Sequence, residues 1–425
     1  MKFSDITIEI QEDGRIRLEG LTGRPGDKFI GRAALVDPAP ASSPEAFIPY
    51  GRPAVDEKDI LAVAETLTSA WLTTGPKVAE FEQAFAAACG ADHATACSSG
   101  TAALHAIMNA IGIGPGDEVI VPALTFVATA NAVVFQGGWP IFADVDPETL
   151  LIDPKSVEEK ITPRTKAIVA VDYAGQPCDY DALKKIAADH GLFLIDDACH
   201  AWGAAYKGRL TGGLGDLTAF SFHPVKHLTT GEGGMATTKN AQLAKKMKIF
   251  RHHGLSSEPA QRLEQGTWYS EMQDLGYNYR LSDVACALGL SQLSKQPVWL
   301  ARRRAIAQVY HRAWDNHPLI RPLAVRPEVD HSYHLFVVQF ETGRDRIFTA
   351  LREAGLGVTV HYPPVHLNPF YRRSYGTGEG LCPVVEAAYR KIMTLPLFPT
   401  MTDEQVERVV TTVNEVVRGP GFPGR

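Results

Sequence analysis

Cysteine is scarce in this chain and forms no recognisable pattern. Its 425 residues hold six cysteines, Cys89, Cys97, Cys178, Cys199, Cys286 and Cys382, and no two of them stand in a Cys-x-x-Cys spacing. This argues against a disulfide framework or a zinc site and for reduced, mostly buried thiols; no metal is expected. Long hydrophobic runs are missing too: no uninterrupted apolar stretch reaches the length of a membrane span. The start, Met1-Lys2-Phe3-Ser4-Asp5, lacks the basic stretch and apolar core of a secretory signal. A soluble cytoplasmic protein is the expectation. Charge of one sign is not in large excess, with 42 Lys and Arg against 48 Asp and Glu. No long basic run occurs, so neither nucleic acid nor an anionic membrane is an expected partner. A Walker A loop is absent, because no glycine-rich stretch ends in Gly-Lys-Ser/Thr.

The chain is long enough for two domains. Residues 1–46 stand apart from the rest. Ile6–Ile10 and Ile16–Glu19 each alternate apolar and polar residues around the turn signal Glu12-Asp13-Gly14, which predicts a small β-hairpin. Pro38–Pro44 (PAPASSP) reads as a linker. The expectation is an extension with no part in the chemistry. Helical periodicity begins at 56–69 and 76–89. Short apolar runs then alternate with helical stretches: Val119–Val121, Ile141–Ala143, Ala167–Val171, Leu192–Ile195 and Leu217–Phe220. Such runs predict buried strands of a mostly parallel sheet, which places ligands at the strands' carboxyl ends. Helices over 301–315 and 345–355, with a strand near His334–Phe340, predict a smaller α/β domain. The expected division is 1–46, 47–295 and 296–425, ending in a frayed tail from Arg418.

Two segments at predicted strand ends and one at a predicted helix start carry chemistry. Leu194-Ile195-Asp196-Asp197-Ala198 ends a strand in two acids; a carboxylate there suits a pyridinium nitrogen, which it would keep protonated, or caps the next helix. Phe220–Lys226 runs from a strand through a Pro turn to a lysine, followed by the glycine-dense Thr229–Gly234. A lysine beside a buried strand end loses solvation, so its neutral amine becomes a usable nucleophile; alone it reads as an ordinary surface lysine. Cys97–Leu104 puts hydroxyls and a glycine before an apolar helix, whose free amides suit a phosphate or need only a serine cap.

Taken in order, these segments resemble the DegT-type sugar aminotransferases, within the fold-type-I pyridoxal-phosphate (PLP) enzymes. The resemblance runs from about Phe47 to Val417. It is carried by Ile48-Pro49-Tyr50, Trp71–Pro76, Ser99–Leu104, Gly116–Ile120, Asp197–His200, Phe220–Lys226, Gly231–Gly234, Gly276–Arg280 and His361-Tyr362-Pro363. It implies an aspartate-aminotransferase-like α/β fold, a large PLP-binding domain over 47–295, and a homodimer. It also implies that Lys226 carries the cofactor as a Schiff base and moves the proton. Asp197 would pair with the pyridine nitrogen and Phe126 would stack on the ring. Gly100, Thr101 and Ser221 would cradle the phosphate, with Asn278 reaching it from the neighbouring subunit. His200 stands where many members have a glutamine contacting the phenolic oxygen, and Asp172 where relatives often have histidine. A few relatives replace the lysine by histidine and act as dehydrases; here Lys226 is in place, followed by His227.

The pattern looks most like the UDP-4-keto-6-deoxy-hexosamine 4-aminotransferases of the pseudaminic acid type. Tyr279, Arg280, His361 and Tyr362, with His366 and Tyr371, are the expected substrate mouth. L-Glutamate is the expected amino donor, giving 2-oxoglutarate, and a keto sugar the acceptor. A cyclitol aminotransferase on the same scaffold and a PLP-binding regulatory protein are the alternatives.

Overall fold

The alternating residues of the N-terminal segment pair as two antiparallel strands, β1 (Thr7–Ile10) and β2 (Ile16–Glu19), with Thr7 opposite Glu19 and Ile10 opposite Ile16. They lie in a unit distinct from the body of the chain, which spans Ile48–Arg425. The computed structural model describes residues 7–10, 16–19, 47–257, 262 and 266–419. The linker Pro38–Pro44 and the tail beyond Gly419 lie outside the described residues.

In the body, the apolar runs become strands: β3 (His93–Cys97), β4 (Glu118–Pro122), β5 (Trp139–Ala143), β6 (Thr165–Val171) and β7 (Phe193–Asp197). After two short strands, β8 (Ala205–Tyr206) and β9 (Arg209–Leu210), come β10 (Leu217–Ser221) and β11 (Gly234–Thr238). Seven of these form one sheet in the order β3-β11-β10-β7-β6-β4-β5. All neighbours are parallel except β11, which is antiparallel to both β10 and β3. Its inner strands are buried on both faces, which is why their sequences read as apolar runs rather than alternations.

The parallel strands β4 to β7 and β10 share one carboxyl edge, and β3, reversed twice through β11, ends there too. So do the segments that follow them: Ser98–Gly100, Ala123–Phe126, Asp172–Gly175 and Phe222–Lys226. The return turn before β11 opens on the same edge. Topology alone therefore gathers the chemistry-bearing loops.

The helices flank this sheet. Helix α1 (Glu57–Leu67) starts with a reciprocal capping box between Asp56 and Asp59. Helix α2 (Pro76–Cys89) begins on a proline, where a missing amide costs nothing. Helix α3 (Gly100–Ala110) is buried over most of its length, and α4 (Val127–Phe135) follows β4. At the free edge of the sheet, Glu82 of α2 accepts the Ala96 amide of β3 at 2.9 Å, while Arg251 donates to the Ala96 carbonyl at 2.7 Å and pairs with Glu82. Both side chains are buried.

The C-terminal part builds a second core. The strands β12 (Ile320–Pro322), β14 (Phe336–Phe340) and β15 (Ile392–Leu395) form an antiparallel sheet, while β13 (Val329–Asp330) pairs with β8. Helices Gln296–Trp314, Arg344–Glu353 and Asp403–Arg418 cover it, burying Tyr310, Trp314, Phe336, Leu351 and Val409 together. The last helix reaches Arg418, where the sequence suggested fraying: Thr402 and Gln405 cap its start and Val406, Val409, Val413 and Val417 form its buried stripe.

The cysteines are free thiols, five of them buried and Cys199 partly so, as the sequence indicated. Among the described residues, no helix is long and apolar enough to cross a membrane.

Candidate active site

Lys226 sits in the turn that follows β10. Its own amide donates to the His223 carbonyl (2.9 Å), and Phe222 is tied to Gly233 of the return turn (2.8 Å). The side chain opens into a cavity of about 360 Å³ at the carboxyl edge of the sheet. Its stem keeps some exposure to that cavity, but the crowding around the amine lowers the pKa to about 8, against the attraction of Cys199 and Asp197.

The same cavity is lined by Gly100, Thr101, Phe126, Asp197, His200, Ser221, His361 and Tyr362. Every one of these was singled out from the sequence, and they come from five separate segments of the chain. Asp197, the last residue of β7, is 5% exposed. The Thr129 hydroxyl donates to its Oδ2 at 2.7 Å and the Cys199 amide to its Oδ1 at 3.2 Å. Thr125, with its hydroxyl 2.7 Å from that of Thr129, extends the chain of donors. Among the described residues no cation stands within ion-pair distance of Asp197.

The α3 terminus forms another wall. Ser99 caps the helix by accepting the Ala102 amide at 3.0 Å. The amides of Gly100 and Thr101 belong to the first turn and have no partner within the helix. A Cβ on Gly100 would sit 2.9 Å from the Ser221 Cβ, so only glycine lets β10 and α3 close to this distance. Phe126 stands at the N-cap of α4, half exposed, its ring centroid 5.7 Å from that of Tyr362. His200 Nε2 lies 3.1 Å from the Tyr362 hydroxyl, and Tyr173 donates to the His361 carbonyl. Burial drives the imidazoles of His200 and His334 well below their usual range, and that of His361 down to about 3, with Lys226 adding to each shift. These histidines are therefore neutral.

The structure does not bring every candidate together. Asn278, Tyr279 and Arg280 lie outside the cavity of their own chain. The Tyr279 hydroxyl is 3.1 Å from His105 and its ring stacks on Tyr277, while Arg280 donates to His252 at 2.9 Å. His366 is fully buried against Glu386, and the Tyr371 hydroxyl donates to Asn131. Conversely, Thr129 and His334 touch the functional groups although no motif marked them. Thr129 is one helical turn beyond Phe126, a signal that the spacing contained. His334 lies 108 residues from Lys226, and only the fold joins them.

Behind Asp197 are two further acids. Asp172 and Asp196 are both fully buried, and each keeps one carboxyl oxygen without a hydrogen-bond partner among the described residues. Burial raises both pKa values, Asp196 to about 7, and the charge of Asp196 adds to the shift on Asp172. A carboxyl with a raised folded pKa stabilises the fold fully below its unfolded value, near 4, and loses that contribution as pH rises through about 7. Asp172→Asn removes one of these competing charges. Relative to the parent, the variant should gain stability between pH 5 and pH 8, by at most about 1.4 kcal/mol per pH unit. Urea unfolding of both proteins at the two pH values tests this; a stability difference that does not change with pH would refute it.

Residues 53–414 match the model of the DegT/DnrJ/EryC1/StrS aminotransferase family. The chain is 44% identical over 381 residues to the spore coat polysaccharide biosynthesis protein SpsC of Bacillus subtilis, covering 88% of this chain and 98% of that protein. The chain belongs to this family. Its structure is also similar to that of Spr1654 from Streptococcus pneumoniae in the PMP form, with TM-score 0.83, 33% identity, and coverage of 87% of this chain and 98% of that one. Spr1654 has been solved in a PLP form as well. Helicobacter pylori PseC, an aminotransferase involved in the biosynthesis of pseudaminic acid, matches with TM-score 0.82, 32% identity, and coverage of 87% and 99%.

This family member is thus a PLP-dependent aminotransferase of fold type I, and its residues fit the cofactor. A nearly buried carboxylate without a cation is costly, and the ring nitrogen of the cofactor is the partner that Asp197 lacks. The cradle between α3 and Ser221, which a side chain at position 100 would fill, suits the phosphate. An amine with a lowered pKa opens between them.

Proposed function

We propose that this aminotransferase transfers the amino group of L-glutamate to a keto sugar, a nucleotide-linked 4-keto-6-deoxy-hexose. The observation that carries the reading is a single cavity that pairs the Lys226 amine and the Asp197 carboxylate with a wall of Tyr50, Phe126, Tyr173, Tyr362 and neutral His361. Aromatic faces and uncharged imidazoles suit a sugar ring better than a second amino acid. The names of SpsC, a polysaccharide biosynthesis protein, and PseC support this choice.

In this reading Lys226 would hold the cofactor, and its free amine would carry the proton at Nζ. When bound, PLP would supply the electron sink that stabilises charge on the carbon losing its proton. Asp197 would face the positive charge of the ring nitrogen, with Thr129 and the Cys199 amide keeping its carboxylate aimed. Phe126 would support the ring face and His200 would meet the phenolic oxygen. Gly100, Thr101 and Ser221 would receive the phosphate at the α3 terminus. His361 and Tyr362 orient the sugar, so that its ketone approaches with little entropy left to lose.

The test follows the cofactor's absorbance after glutamate has aminated it. A UDP-linked 4-keto-6-deoxy-hexosamine should restore the starting spectrum rapidly, and keto acids other than 2-oxoglutarate should do so poorly. Restoration by a keto-cyclitol while a panel of such sugars leaves the spectrum unchanged would overturn the sugar assignment.

The same reading makes the working unit a homodimer in which Asn278 completes the phosphate site of a second copy, with Tyr279 and Arg280 beside it at the mouth. Support comes from Trp268, Tyr269, Met272 and Leu275, which stand exposed just before Asn278. Mixing Lys226→Ala chains with Asn278→Ala chains should restore about one quarter of native specific activity, because half of randomly paired dimers are mixed and each has one intact site of two. A mixture no more active than either parent would count against a shared site.

A further inference from the structure

The Lys226 amine lies within hydrogen-bond distance of an imidazole: His334 Nε2 is 3.4 Å from Lys226 Nζ. The ring is 5% exposed, and its Nδ1 has no hydrogen-bond partner among the described residues. Its position is strongly determined. Leu335 donates to the Ala174 carbonyl and Ser332 to the Gly175 carbonyl, which ties this segment to the turn after β6. Gly175 has φ +101°, and a Cβ there would sit 2.9 Å from the His334 amide and 2.6 Å from Ser332 Oγ. Only glycine, then, lets the segment seat. Arg303 donates to the His334 carbonyl (3.4 Å), and the ring packs on His200 with centroids 4.5 Å apart.

We propose that His334 is the positioning residue of Lys226: its Nε2 accepts a hydrogen bond from the free amine and holds it toward the reacting carbons. This rests on the reading of Lys226 as the amine that carries cofactor and proton. The chemistry of the pair follows from its setting. Burial keeps the imidazole neutral, so one ring nitrogen bears the proton and the other accepts. A charged amine has only donors to offer, so toward it Nε2 presents its lone pair and the ring proton sits on Nδ1. An amine on a four-carbon stem has several rotamers; one fixed acceptor selects among them. The acceptor also favours the charged amine, so it sets the pH at which Lys226 becomes a usable base. The other groups facing the pair are Asp197, Cys199, His200, His227, His361 and Arg303, and all remain in place when His334 alone is replaced.

Two variants of the holoenzyme test this. His334→Leu removes the acceptor and keeps the bulk; His334→Gln returns a polar group near Nε2. In the Leu variant, kcat should fall roughly 10- to 100-fold with KM for both substrates within about threefold, as expected for lost orientation. The rising limb of the pH profile of kcat, and the pH titration of the cofactor's absorbance in the aminated enzyme, where the Lys226 amine is free, should shift by roughly half a unit to one unit, as expected for one hydrogen bond. The limb should move acidward, since the charged amine has lost its acceptor. The Gln variant should recover most of kcat and most of both shifts. If the Leu variant loses kcat with profile and titration unmoved, or if a folded Gln variant does no better than Leu, His334 is packing only and the proposal falls. Borohydride reduction of the same samples, followed by peptide mapping, keeps the two levels apart. A label on Lys226 with unmoved profiles overturns the role of His334 alone, and a label elsewhere overturns the assignment of Lys226 itself.

Discussion

Lys226→Ala is expected to lower kcat by about 10⁴-fold or more, since it removes both the attachment point and the proton carrier in one change. The fold should survive. The amine occupies a cavity wall rather than a packed core, and its polar neighbour His334 is a neutral ring. Far-UV circular dichroism and the urea midpoint should therefore match the parent, while single-turnover absorbance with glutamate stays flat. A variant that keeps kcat within tenfold would remove Lys226 from the mechanism.

Asp197→Asn should have the next largest effect. It preserves size, and its one amide oxygen can still accept from the Cys199 amide, so it removes the charge and the acceptor of the Thr129 hydroxyl. For a cation about 4 Å away at an effective dielectric near 20, that charge is worth about 4 kcal/mol, or roughly 10³-fold in rate. The cofactor should remain attached to Lys226, because the phosphate cradle and the amine are untouched. Steady-state rates together with the absorbance of the bound cofactor check both halves; a loss of less than tenfold would mean that Asp197 is not the counter-charge of the ring nitrogen.

Much of this site was legible in the sequence because its residues follow buried parallel strands. Asp197 and Lys226 each stand at or just beyond an apolar run, and a parallel sheet sends such positions to one edge. The Ser99–Leu104 segment was legible for a similar reason, as a capped helix start beside glycine. Residues brought in by the second core were harder to see. His334 precedes β14 with no spacing that relates it to Lys226, and its approach depends on Gly175, whose positive φ no periodicity reveals. Thr129 was easier to reach, since it stands one helical turn beyond Phe126 in α4, but nothing in the spacing ties it to Asp197, 68 residues away. Tyr279 and Arg280 show the opposite case: they share a conspicuous segment with Asn278, yet within one chain they pack on His105 and His252.

The Glu82–Arg251 pair at the rim of the main sheet bears on aggregation. β3 is an end strand, and an end strand offers unpaired amides and carbonyls to any other strand, including the same strand of another molecule. At Ala96 both outward groups are already taken, the amide by Glu82 and the carbonyl by Arg251. Because the two side chains are buried, they shield this rung permanently rather than competing with water for it. The ion pair therefore acts as a plug against edge-to-edge growth of the sheet. Losing Glu82 would take the counter-charge from a buried guanidinium, so the first sign would be lowered stability, and self-association would follow only as this edge opens.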